Sequence, residues 1–423
     1  MAYPQQHLKP EKRPMDDEHS DFDSTLPERP ENFHGSMPRL WNPMHQFVTY
    51  PTGVSVPVEH QFNFNDHHDL PIPQQQPPAN DTAYVYPSEL IGHPGTFLPE
   101  RNAFSTPTPE FTIPGSQRTP SGSTVVEPSV VYDETGRSYQ AFREGKYFLP
   151  NDGDEQDRLD FQYEGFSILM DRKLFLAPLT RVPEHVIDVA TGTGIWAVDF
   201  AKAFPYTHVV GTDLSAIQPT NKPDNCEFFK EDSEEPWVYD FKFDYVHLRM
   251  VFTCFDNPKR IIENAYHHMK PGAWIEFQDG SAEISSFSET FEGTALQQWG
   301  VGLINGAAAM GRDIQKGKKW RQWLIEAGFV DVEEHPVQFP VSGWPDDPKF
   351  KLAGSYMARN ISDNLKGLSW KMLGGMGMAP DEIESFLERV KVDVLTRSLK
   401  AYLHFFVVYG RKPFDGEVVP ASQ

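Results

Sequence analysis

What most restricts the fold of this chain is a rhythm. From Val186 onward, short apolar runs closed by small or acidic residues alternate with stretches of helical spacing. Parallel strands need a crossover of a dozen residues or more, commonly a helix, so this alternation predicts a parallel sheet covered on both faces. The expected strands are 186–190, 208–213, 226–229, 243–248 and 273–278. Helices are expected over 195–204, stopped by Pro205, and over 258–269, stopped by Pro271 and Gly272, because proline can neither donate to nor fit within a continuing helix. An upstream helix beginning near Asp154 would set Leu159, Tyr163 and Phe166 on one side. After the fifth strand come a helical stretch at 294–310 and a helix in "WRQWLIEAGF" closed by Gly328. The strand-like "VDVEEHPVQFPV", a mostly helical 345–398 and a last aromatic strand, "KAYLHFFVVYGRKP", follow. "WKMLGGMGMAP" reads either as a helix end with a glycine-rich turn or as an adaptable methionine surface.

The first 128 residues differ in kind. They carry 21 of the 37 prolines, with clusters of Gln and Asn, and too little buriable surface to offset the entropy of ordering them. A disordered acidic tail is expected there, and a second disordered stretch at 414–423. The basic cluster at 9–13 reads either as a nuclear import signal or as a solvated charge patch. A formal net charge of −22 argues against direct nucleic-acid binding, which runs on basic surfaces. No secretory h-region and no run of membrane-spanning length is found, so a soluble protein of nucleus or cytoplasm is expected, away from membranes. Two cysteines exclude a disulfide framework and a four-Cys zinc site, and no metal is expected.

The chemistry is concentrated in "VIDVATGTGIWAVDF". A strand that breaks into small residues and opens a helix presents free backbone N–H groups and lets a ligand approach the main chain, with Gly192 and Gly194 supplying the room. Gly192-x-Gly194-x-x-Ala197 also fits a dinucleotide fingerprint. The acid within the strand, Asp188, favours a cationic ligand over a pyrophosphate. Asp213 closes the second strand, where a carboxylate can accept from both hydroxyls of a ribose, and Asp232 follows the third.

Asp188-x-Ala190-x-Gly192-x-Gly194 resembles the D/E-x-G-x-G-x-G loop of class I S-adenosylmethionine methyltransferases, with Ala190 where that family usually has its first glycine. Together "ATGTGIWAVDFA", "DLSAIQP", "PDNCEF", "SEEPW", "DYVHLRM" and "MKPGAWIE" are similar to the fungal LaeA-like methyltransferases, a group associated with secondary metabolism and development. The similarity is seen over about 132–413, and none is seen in the tail. Two departures are visible: Tyr163 stands where the upstream motif ends in histidine, and "EFQDG" replaces E-x-x-E after the fifth strand.

The resemblance implies a Rossmann-like α/β fold with a seven-stranded, mostly parallel sheet, an antiparallel last strand, helices on both faces and helical lid insertions, occupying 129–413. It implies S-adenosylmethionine as cofactor. Asp188, Ala190, Thr191, Gly192, Thr193 and Gly194 would form the loop, Asp213 and Leu214 the ribose site, and Asp232 and Ser233 the adenine site. By analogy Tyr147 and Arg158 would close the pocket, Arg158 meeting the methionine carboxylate. His247 is the candidate to orient or deprotonate an acceptor, with Arg249 beside it; Glu276, Asp279 and Trp196 are weaker candidates. A regulator acting with velvet-type protein partners on a protein acceptor is expected, with a small-molecule pathway methyltransferase as the alternative. A non-catalytic scaffold and a nicotinamide oxidoreductase are the remote ones.

Overall fold

The computed structural model describes residues 130–143 and 145–418. The expected disordered tail over 1–128, the basic cluster within it, and residues 419–423 lie outside the described residues. Residues 414–418 are described: Phe414 lies against Arg411, whose guanidinium is held by the Glu417 carboxylate.

A small hairpin, β1 (Val130–Tyr132) and β2 (Ser138–Gln140), precedes helix α1 (Gly153–Leu169). Then follow β3 (His185–Val189), α2 (Ile195–Ala203), β4 (His208–Asp213), β5 (Cys226–Lys230), β6 (Phe243–Arg249), α3 (Pro258–His268) and β7 (Met269–Ser286). The remainder is α4 (Ala295–Ala309), α5 (Trp320–Glu326), β8 (Val330–Pro340), α6 (Pro348–Ser362), α7 (Leu365–Gly375), α8 (Pro380–Leu395) and β9 (Ala401–Arg411). The expected seven-stranded sheet forms, in the order β5-β4-β3-β6-β7-β9-β8. Strands β5 to β7 pair in parallel, and β9 runs antiparallel to both its neighbours.

The central strands are apolar throughout because both faces are covered. Val186, Val189, Tyr245, Val246 and Ile275 are fully buried, each such side chain contributing roughly 1.5–3 kcal/mol. On one face α2 lays Trp196, Ala197 and Phe200 against Tyr245. On the other, α3 and α5 bury Ile261, Ile262, Trp320 and Leu324.

The fifth strand is far longer than expected. β7 runs 18 residues, and past Gly280, where the register shifts, its second half continues with β9, itself still paired with β8, as an extended ribbon of the sheet. On this ribbon α4, α6, α7, α8 and the far part of α1 build a second apolar core. The small residues permit the close approach: a Cβ at Gly306 would meet the Met372 backbone at 2.3 Å. In "WKMLGGMGMAP" the helix-end reading holds, with Gly377 at φ 87° turning the chain into α8 while Met372 is buried. Among the described residues no helix is long and apolar enough to cross a membrane.

Candidate active site

A hollow of about 1170 Å3, counting its open mouth, lies at the C-terminal tips of β3, β4, β5 and β6. The break after β3 is made by three left-handed residues, Ala190 at φ 56°, Gly192 at 58° and Gly194 at 78°. Ala190 thus holds a conformation that costs an L-residue about 1–2 kcal/mol, at the very position where a glycine is usual. Space before Gly192 is free, the nearest atom to a built Cβ being Leu159 Cδ1 at 3.6 Å. Gly194 answers a different need: a Cβ there would stand 2.5 Å from the Phe228 ring of β5. Its missing side chain makes room for a neighbouring strand, not for a ligand as the spacing alone suggested.

The carboxylates divide by what already holds them. Asp188 is buried, with Oδ1 2.7 Å from Nδ1 of His247 and Oδ2 accepting from the Thr191 hydroxyl. Asp213 accepts from the N–H groups of Gly192, at 2.9 Å, and Ser215, at 2.8 Å. Each of its oxygens keeps lone pairs toward the hollow. Burial, with the Asp188 charge nearby, pushes its carboxyl up to about 6. Asp232 is held by Lys146 through both oxygens, at 2.5 and 2.7 Å, and Arg143 stands at 3.6 Å. Lys146 also reaches Glu234, so the segment before α1 is clamped across the tip of β5. Sequence reasoning missed this lysine, since the ion pair spans 86 residues.

His247 borders the hollow as a packed residue. Its ring stacks on Trp196, with centroids 3.6 Å apart and planes 6° from parallel, and the side chain is fully buried. Burial holds the imidazole below its usual range despite the Asp188 carboxylate, so it is a neutral group that orients Asp188. Trp196 is fixed in turn by its Nε1, which donates to the Leu174 carbonyl. Leu214, Thr193 and Ser233 line the hollow, and Thr193 is tied to Asp160.

Arg158 is a correction. It lines a separate chamber, where its guanidinium donates to both oxygens of Glu155 and to Asn360, and all three side chains are buried. It is unplaced to meet a ligand in the polar hollow. Glu276 and Asp279 line neither space. Glu276 accepts from the N–H groups of Leu176 and Ala177. Asp279 accepts from the Trp320 indole and the Phe252 N–H.

The chamber, about 940 Å3 counting its open mouth, adjoins the hollow: Tyr147, Leu159, Gln162, Phe166 and Met250 line both. Met250, at φ 52°, turns the chain out of β6 at this neck. Beyond it the walls are mainly apolar, with Phe252, Trp299, Leu303, Phe339, Met372 and Phe405 among them and a few polar groups such as Asn360 and His404, and no carboxylate lines it among the described residues. Burial pushes the Tyr147 hydroxyl well above its usual range, and His404 is bonded to Ser285.

A family model described as a methyltransferase domain matches residues 161–334. Methyltransferase pytC of Aspergillus terreus is 32% identical over 66% of this chain and 87% of its own length. The secondary metabolism regulator laeA of Aspergillus flavus is 32% identical over 67% of this chain and 78% of its own. The protein-methionine methyltransferase laeA of Emericella nidulans is 28% identical over 89% and 97%. That last match covers more of the chain than residues 130–423 hold, so similarity extends into the N-terminal region where the motifs had shown none. The oxidoreductase alternative falls with these matches: the chain belongs to the methyltransferase family that includes pytC and the LaeA regulators.

Proposed function

We propose that this enzyme transfers a methyl group from S-adenosylmethionine, bound in the polar hollow, to an apolar acceptor of small-molecule size seated in the chamber. The observation that carries the reading is the shared wall, which joins a carboxylate-lined space to an apolar one at a neck of five side chains. The residues present fit the cofactor. Asp213, oriented by two backbone donors, accepts from the ribose hydroxyls; Asp232 retains lone pairs for the adenine amine beside Lys146; Ala190, Thr191, Gly192 and Thr193 give the ligand its backbone surface. Tyr147 covers it. The cofactor supplies an already activated methyl carbon, so the chain's task is alignment and exclusion of water.

With no carboxylate on the chamber walls, Arg158 paired, Tyr147 held protonated and the Nε2 of His404 engaged by Ser285, the chamber suits an acceptor atom that needs no base. A thioether, a tertiary amine or an acidic hydroxyl that arrives ionised meets that condition.

A second reading, a regulator of the LaeA kind that methylates a protein in the nucleus with velvet-type partners, is supported by the Emericella nidulans match reaching into the N-terminal region. A methionine side chain is apolar and needs no base either. The two readings part on where label goes. Full-length protein is given radiolabelled methyl donor with a fungal cell extract, and acid-precipitable protein is separated from organic-soluble product. Organic-soluble label lost in Leu303→Trp, which fills the chamber, supports the small-molecule acceptor; label confined to protein overturns it in favour of the regulator.

A further inference from the structure

Arg249 ends β6 and lines the polar hollow but not the chamber. Its Nε donates to Oε1 of Gln278 at 2.9 Å, and its guanidinium carbon lies 5.1 Å from the centre of the Tyr163 ring, the position where the related motif ends in histidine. Nη1 is buried without a hydrogen-bond partner. The acids whose charges reach it are committed elsewhere, Asp188 to His247 and Thr191, and Glu276 to the N–H groups after Leu174. A cation so placed, on a neutral amide and a ring face, lacks the anion that would offset its desolvation. The other cations nearby are satisfied: Lys146 sits on Asp232 and Glu234, and Arg158 on Glu155.

Strand order says what that anion is. The tips run β5, β4, β3, β6 across the sheet, carrying in turn Asp232 for the adenine, Asp213 for the ribose, the glycine break and Arg249. A ligand laid along that line reaches β6 with the end opposite its base. We infer that Arg249 anchors the carboxylate of the cofactor's methionyl part, the role that the Arg158 analogy had assigned elsewhere. A guanidinium fork suits a carboxylate, and the one guanidinium on the neighbouring chamber's walls, that of Arg158, is already paired with Glu155. The assignment rests on the adenosyl reading of the hollow.

Calorimetry on the full chain with two ligands separates the two claims. S-adenosylhomocysteine carries the carboxylate; methylthioadenosine keeps the adenosyl thioether and lacks the amino-acid part. In Arg249→Met the affinity for S-adenosylhomocysteine is expected to fall about 30-fold, the worth of a charged hydrogen-bonded pair, with a smaller loss in Arg249→Lys. Methylthioadenosine should bind all three proteins within about twofold, which also reports an intact fold. Unchanged binding of S-adenosylhomocysteine by Arg249→Met, or equal losses for both ligands, overturns the anchor and leaves the site. A wild-type chain that binds neither ligand overturns the site reading and the anchor together.

Discussion

The polar hollow and the apolar chamber share a wall but are made in opposite ways. The hollow is built largely by backbone: four neighbouring strand tips, a break of three left-handed residues, and a central carboxylate, Asp213, oriented by main-chain N–H groups. The chamber is built by packing, from α1, the exit of β6, the β7–β9 ribbon and helices α4, α6 and α7. A site of the first kind keeps its chemistry when distant segments change, whereas one of the second kind takes its shape from all of them at once. On the proposed reading this divides the labour, with the donor on the backbone-built site and the acceptor on the packed one.

The contrast can be broken first at the chamber's ion pair. Glu155→Ala leaves the buried Arg158 guanidinium without its counter-ion and should cost about 3–5 kcal/mol of folding stability, read as a fall in the urea midpoint. Glu155→Gln with Arg158→Met should recover most of it. If the single variant is as stable as wild type, the chamber does not depend on that pair. On the hollow's side, Asp213→Ala should weaken S-adenosylhomocysteine about 100-fold, or about 2.7 kcal/mol, by removing the acceptor of two hydroxyl donors. Trp299→Ala, which enlarges the chamber, should leave that affinity within about twofold; a comparable loss there would erase the distinction.

A smaller effect comes from protons. Ribose donors bind the ionised form of Asp213, whose carboxyl burial holds at about 6 in the free protein. Ligand binding therefore favours release of the proton, so affinity rises with pH through about 6 and levels off above it. Below that point it should fall about tenfold per pH unit, and calorimetry on Asp213→Asn should show no such slope. Smallest is Ala190→Gly. Relief of the left-handed strain exceeds the added chain entropy by about 0.5–1 kcal/mol, so the unfolding midpoint should rise while ligand affinity holds; a fall would mean the methyl group packs usefully.

How much could be read from the sequence follows the same division. The alternation from Val186 located the first four parallel strands to within a residue, and Asp188, Asp213 and Asp232 do meet at one hollow. Each lies within two residues of a strand's end, so local pattern suffices. Strand β7 escaped because its second half continues past Gly280 only by pairing with β9, more than a hundred residues on. Arg158 was assigned to the wrong space for a related reason: its partner Glu155 is three residues away, yet which cavity the pair borders depends on α6 and Asn360. The strain at Ala190 was foreseeable only as a condition, since an alanine tells nothing of its own φ until the turn around it is built.

The neck has a thermodynamic consequence. Tyr147, Leu159, Gln162, Phe166 and Met250 each border both spaces, so a guest in one that displaces any of them alters the fit of a guest in the other. Such heterotropic linkage is reciprocal: whatever factor the donor imposes on acceptor affinity, the acceptor imposes on the donor. Turnover would then discharge both products in a coupled order, and an inhibitor lodged on one side of the partition would be felt on the far side without touching it.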